Sequence, residues 1–261
     1  MNHTIFFTSG KGVAEITINR PELSNAFAPE TYQEIKEAIE YCDQNPDIRV
    51  VRITGSGKHF SAGGDIKRFS KLFEEGKYLS RENVLRAGHM VDAIRKCGKP
   101  VVAVINGAAA GAGAGLALAC DFRVMAESSK IAASFINMGF SGDTGTMYFL
   151  KHMLGTAKTI ELMIMGKTVC GKDAYAMGLA NILSADDQLT QEADRLVAEL
   201  QSRPTYAIRR QKELMYEFFF QDFLAFVERE ADYMCDTGKT DDHREAVNAF
   251  MEKRKPVFKG L

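Results

Sequence analysis

The residues of this chain that could do chemistry cluster in two stretches where glycine and alanine take the place of side chains. In the first, Gly107-Ala108-Ala109-Ala110-Gly111-Ala112-Gly113-Ala114-Gly115 follows the apolar run Val101-Val102-Ala103-Val104-Ile105 and precedes the helix-forming Leu116-Ala117-Leu118-Ala119. Small residues between a strand and a helix let the backbone approach a ligand closely, at a helix end whose free N–H groups favour negative charge. The same composition also suits a tight crossing of two helices. The second stretch, Gly55-Ser56-Gly57-Lys58-His59-Phe60-Ser61-Ala62-Gly63-Gly64-Asp65-Ile66, puts a glycine pair at another strand-to-helix junction, with Asp65 at the N-cap position. Spacing excludes the two common phosphate motifs. Gly166-Lys167-Thr168 and Gly238-Lys239-Thr240 lack the earlier glycine of a P-loop, and Leu116 stands where a dinucleotide fingerprint needs glycine.

Two such donor sites need a scaffold, and the rest of the chain provides one. Ile5-Phe6-Phe7 and Val13–Ile18 flank Gly10-Lys11-Gly12 as a hairpin, ended by Asn19-Arg20-Pro21. Pro29 opens a helix whose apolar positions Tyr32, Ile35, Ala38 and Ile39 recur at helical spacing up to Asn45-Pro46. Ile48 to Thr54 is a second strand, so the alternation predicts parallel pairing through helical crossovers. Phe69 to Cys97 is helical and charged, and helical patterns cover Ala157–Met165, Lys172–Met177, Leu189–Leu200 and Thr205–Asp236.

Composition narrows the function further. With 261 residues, 46% hydrophobic and 26% charged, the chain can bury a large core, and a net charge of -1 gives no reason to expect nucleic acid or an acidic membrane as partner. The five cysteines form no metal-ligand cluster, and buried reduced thiols are expected. No basic leader or membrane-length apolar run is present, which predicts a cytoplasmic protein. His59 and His89 suit surface or structural roles, and Asp121, at the entry to Phe122–Ala126, suits a structural one.

Several motifs in order then carry a resemblance. Phe60-Ser61-Ala62-Gly63-Gly64-Asp65-Ile66, Lys99-Pro100 through Asn106-Gly107, Gly111-Ala112-Gly113 through Cys120-Asp121, Asn19-Arg20-Pro21 with Asn25-Ala26, Gly178-Leu179, and Phe250 to Pro256 together resemble the enoyl-CoA hydratase/isomerase (crotonase) superfamily over nearly the whole chain. The resemblance implies an α/β fold, a crotonase-like spiral of ββα repeats over residues 1–200, with a C-terminal helical trimerisation region over 201–261. It also implies an acyl-CoA thioester as substrate, whose coenzyme A is part of the substrate, so that no cofactor is needed. By position, the N–H groups of Gly64 and Ala112 would form an oxyanion hole for the thioester carbonyl. Such donors stabilise the enolate formed when a proton leaves the neighbouring carbon, and one donor is worth about 3 to 4 kcal/mol of barrier in other enzymes.

The sequence departs from the hydratase branch of that pattern. Hydratases carry two glutamates, at positions that here hold Gly115 and Phe135, so the pair that positions water is absent. What remains is Asp143, in Met138-Gly139-Phe140-Ser141-Gly142-Asp143-Thr144-Gly145-Thr146, which resembles the segment carrying the acidic base in the isomerase branches. One carboxylate can take a proton from C2 and return it to C4. The Asp-Thr-Gly-Thr setting equally suits an N-cap, for Asp143 as for Asp65. A buried carboxyl with a raised pKa is expected of the base.

Further residues follow from the same resemblance. Ser61 and Ala62 would meet the adenine and pantetheine through backbone groups, beside Asp65 and Ile66. Phe135, Phe140, Met147 and Tyr148 would wall an apolar acyl pocket without a charged anchor at its far end, and Phe250 and Lys253 would reach a neighbouring subunit's CoA. The run Phe218-Phe219-Phe220, near Phe223 and Phe226, predicts burial against a partner, in a homotrimer or dimer of trimers. The expected activity is double-bond isomerisation by a single aspartate. Hydration, hydrolysis, decarboxylation and a non-catalytic acyl-CoA binder are its alternatives.

Overall fold

Turn residues and alternating apolar side chains start the structure, a computed structural model that describes residues 4–261. β1 (Ile5–Gly10) and β2 (Val13–Ile18) form the expected antiparallel hairpin. Then come α1 (Pro29–Gln44), β3 (Val50–Gly55), α2 (Ile66–Glu74), α3 (Arg81–Lys96), β4 (Val101–Ile105), β5 (Ala108–Ala110), α4 (Ala112–Ala119), β6 (Phe122–Ala126) and β7 (Lys130–Ala132). The second half holds α5 (Thr146–Met165), β8 (Thr168–Cys170), α6 (Gly171–Ala176), β9 (Ile182–Ser184), α7 (Leu189–Ser202), α8 (Thr205–Phe219), α9 (Phe223–Thr237) and α10 (Asp241–Met251).

Six strands pair in the order β1-β2-β3-β4-β6-β9, parallel from β2 onward. Every residue of β4 is buried because helices cover both faces. Val101, Ala103 and Ile105 join the main core, while Val102 and Val104 pack with Val197 and Leu200 of α7 on the opposite side. A second sheet, β5-β7-β8, stands beyond the end of β4. Its strand β5 lies inside the alanine run, where composition gave no sign of a strand; pairing with β7 creates it. The alternation therefore folds as the crotonase spiral predicts.

The expected helix over Ala157–Met165 is present as the second part of α5. α5 begins at Thr146 and is interrupted at Gly155, which has φ 75° and ψ 170°. Of the C-terminal phenylalanines, Phe223 is fully buried in its own chain and Phe220 and Phe226 pack on the same core, while Phe218 and Phe219 are exposed. Asp121 is structural, as expected: it accepts from the Val101 N–H (2.8 Å) and pairs with Arg95 and with Lys212 of α8. All five cysteines are free, four of them buried.

Candidate active site

The two glycine-rich stretches lie side by side because their backbones are zipped together. Ser61 N–H donates to Ala108 O (3.0 Å) and Ala110 N–H donates to Ser61 O (2.9 Å). Gly63, at φ +84°, sits where a Cβ would come within 2.5 Å of Ala110 O and 3.1 Å of Ala112 N, so only glycine permits this approach. Beyond it, the N–H groups of Gly64 and Ala112 make no hydrogen bond to any described residue, and both residues line one cavity. Ala112 is the first residue of α4, so its N–H stands at the positive end of that helix.

The cavity, of about 510 Å³, is walled largely by apolar groups, among them Phe27, Phe69, Leu79, Val84, Phe135 and Phe140. That volume fits a small-molecule site. Asp143 lines it and is 8% exposed. Its Oδ1 accepts one hydrogen bond, from Thr144 Oγ1 at 3.1 Å. Burial pushes the carboxyl up to about 6, against the opposing pull of that hydrogen bond. Asp143 is not the cap of α5: the N-cap is Gly145, and the Asp143 contribution to the helix start is its backbone carbonyl, which accepts from Thr146 N–H (3.2 Å). The side chain is left for the cavity.

The residue that holds the loop before α5 is one that sequence reasoning missed. Glu230 reaches from α9 and accepts the Gly145 N–H at 2.8 Å, thereby fixing the loop that carries Asp143. Burial, reinforced by the nearby Asp143 charge and opposed by the Gly145 bond, pushes Glu230 up to about 8. A signal for it existed. Phe223, Val227, Ala231 and Met234 mark the buried face of α9, and Glu230 falls within that stripe. Because the folded pKa lies above the ordinary 4.5, the native state prefers the protonated form, and stability falls as pH rises from about 4.5 through about 8. Thermal melts should therefore coincide for wild type and Glu230→Gln near pH 4.5, with the glutamine variant melting several degrees higher by pH 8.5. Parallel curves across that range would contradict the assignment.

The missing hydratase acids also have a structural reason. A Cβ on Gly115 would lie 2.1 Å from Thr144 Oγ1 and 2.7 Å from Thr146 Oγ1, so the loop bearing Asp143 occupies the space that a side chain there would need. Phe135 is buried and fills the wall at the second position.

The other expected site residues divide. Ala62, Asp65, Ile66, Phe135, Phe140 and Phe250 line the cavity. Ser61 does not: its backbone is consumed in pairing, and its hydroxyl donates to Asn25 O (2.8 Å) and accepts from Gly63 N–H (3.1 Å). Asp65 holds the N-cap position of α2 without a side-chain cap bond, because its carboxylate pairs with Arg20 at 3.1 Å. Tyr148 points away from the cavity, donating to Asp222 Oδ1 (2.6 Å) and packing against His152 and Phe223, since its face of α5 turns toward α9. Met147 is likewise exposed elsewhere. Phe250 lines the cavity of its own chain, where α10 is held by the tilted ring contact of His243 with Phe140 (centroids 3.8 Å apart) and a hydrogen bond between His243 Nδ1 and Met138 O (2.7 Å). Lys253 is exposed past the end of α10 and outside the cavity. The wall is not free of charge: Lys67 and Arg68 also line it.

Comparison with known proteins agrees with this fold. The enoyl-CoA hydratase/isomerase family model matches residues 8–261. The chain is 33% identical over 250 residues to a probable enoyl-CoA hydratase of Bacillus subtilis (strain 168), covering 95% of each. It is 31% identical over 251 residues to the 1,2-epoxyphenylacetyl-CoA isomerase of Escherichia coli (strain K12), covering 96% of each. Its fold matches the crystal structure of an enoyl-CoA hydratase from Mycobacterium avium subsp. paratuberculosis K-10 with TM-score 0.90, at 29% identity and coverage of 98% and 99%. The chain belongs to the enoyl-CoA hydratase/isomerase family, whose members act on acyl-CoA thioesters, and it has the crotonase fold.

Proposed function

We propose that this chain is an enoyl-CoA double-bond isomerase with Asp143 as its one base. The observation that carries the reading is a single buried carboxylate in the cavity that holds the Gly64 and Ala112 N–H donors, with Gly115 and Phe135 in the hydratase acid positions. The thioester oxygen accepts from both N–H groups. Asp143 removes a proton from C2 of a 3-enoyl chain, the negative charge spreads to the thioester oxygen, and the same carboxyl returns the proton to C4. Nothing is oxidised or reduced, so the reaction needs no cofactor beyond the CoA of the substrate.

The isomerase name of the Escherichia coli relative supports this reading, and the hydratase name of the Bacillus relative defines the competing one. Two separate assays decide between them: conjugation of a 3-enoyl-CoA and water addition to a 2-enoyl-CoA. Fast conjugation with hydration at least about 100-fold slower is expected; dominant hydration would overturn the isomerase reading. We further propose assembly as a homotrimer or dimer of trimers, supported by the exposed apolar side chains Leu214, Phe218 and Phe219 on α8 and Ile160 and Ile164 on α5. Light scattering should give three or six times the chain mass, and a monomer would refute it. No helix among the described residues is long and apolar enough to cross a membrane.

A further inference from the structure

Tyr32 has the helical spacing of a core residue, since α1 buries Thr31, Tyr32, Ile35, Ile39 and Cys42 on one side. Its ring is only 9% exposed and is held edge-on by Phe27, with centroids 5.2 Å apart. Its hydroxyl, however, makes no hydrogen bond to any described residue and is not closed off from solvent, and the residue lines the same cavity as Asp143, Gly64 and Ala112. A hydroxyl open to a cavity exchanges its water for a polar group of the bound ligand, whereas phenylalanine would fill the same volume and offer no such bond.

The missing partner can be narrowed from the surroundings. Burial, helped by the nearby Asp143 charge and opposed by Arg68, raises the phenol well above its ordinary value, so the hydroxyl keeps its proton and acts as a donor. The thioester oxygen is already served by Gly64 and Ala112, and Asp143 does not hydrogen-bond to the phenol. An acceptor on the acyl chain is a partner that a cavity shared with Asp143 would offer.

We propose that Tyr32 Oη donates a hydrogen bond to an oxygen substituent on the acyl chain, making the site selective for oxygen-bearing acyl-CoA thioesters over plain hydrocarbon ones. Tyr32 is thus a specificity residue; this rests on the acyl chain occupying the cavity and does not require isomerisation itself. A site that bonds a substrate hydroxyl discriminates against the analogue lacking it, because the protein group is then left unpaired.

Calorimetric binding tests the assignment without turnover of a double bond. Hexanoyl-CoA and its 3-, 4- and 5-hydroxy forms are titrated into wild type and Tyr32→Phe. At least one hydroxy form should bind wild type about tenfold more tightly than hexanoyl-CoA. Tyr32→Phe should erase that preference while binding hexanoyl-CoA as wild type does, which also shows that the variant is folded. Absence of any preference in wild type, its persistence in Tyr32→Phe, or an equal loss for all four ligands would overturn the proposal. Failure of the conjugation assay with the preference intact would count against the isomerase reading alone.

Discussion

Asp143→Asn is expected to lower kcat for conjugation of a 3-enoyl-CoA by at least about 10³-fold, near the upper part of the range for a positioned general base, with acyl-CoA affinity changed by no more than about threefold. The amide keeps the shape of the carboxyl and loses its capacity to carry a proton, so binding and chemistry separate in one variant. Ultraviolet absorbance of the conjugated product and calorimetric binding of a saturated acyl-CoA measure the two. In wild type, kcat/KM should fall about tenfold per unit below pH 6, where Asp143 becomes protonated. Unchanged turnover in Asp143→Asn would end the assignment.

The same substitution has a stability signature of opposite sign. Because the folded pKa of Asp143, about 6, lies above its ordinary value of 3.8, the native state binds the proton more tightly than the unfolded chain. Stability from this group is therefore present below about pH 4 and is lost as pH rises through about 6. The shift corresponds to roughly 3 kcal/mol at neutral pH. Asp143→Asn escapes that cost, so it should melt higher than wild type at pH 7.5 and show little difference at pH 4. A buried acid that weakens the fold at neutral pH is what the proposed catalytic role of Asp143 leads one to expect.

Ala112→Pro should be nearly as damaging to catalysis while sparing the fold. Proline is tolerated at the first position of a helix, where its missing N–H has no intrahelical partner, and Ala112 opens α4. On the proposed reading, the substitution deletes one oxyanion donor and places ring atoms where the thioester oxygen would sit. Removing a single donor costs about 10² to 10³ in kcat in comparable sites. Circular dichroism should remain that of wild type while conjugation falls by at least that factor. Retention of full activity would show that the charge is stabilised by other groups.

How far the sequence carries the reader depends on whether a feature is local. The glycine pair at 63–64, the small-residue start of α4 and the strand at 101–105 are each encoded within a few residues, and the structure matches those expectations. Asp143 was legible as an acid before a helix, but the loop that carries it is held by Glu230, which lies on another helix and enters only when α9 packs. Asp65 looked like a cap for the same local reason and is diverted by Arg20, far earlier in the chain. The direction of Tyr148 could not be read from Met147-Tyr148-Phe149-Leu150, a run apolar enough for each residue to face either side of α5. Tyr32 followed its periodicity faithfully; only three-dimensional placement shows that the far end of the ring meets a cavity.

The contact between Gly115 and Thr144 has a consequence for how such enzymes can change reaction. A glutamate at 115 and the present course of the chain at 143–146 claim one volume, so the two acid placements exclude each other by steric conflict. On the proposed reading, adding a carboxylate at 115 would first displace the loop that positions Asp143. A route between the two chemistries must then change both segments together, or pass through a loop rebuilt before the second acid arrives.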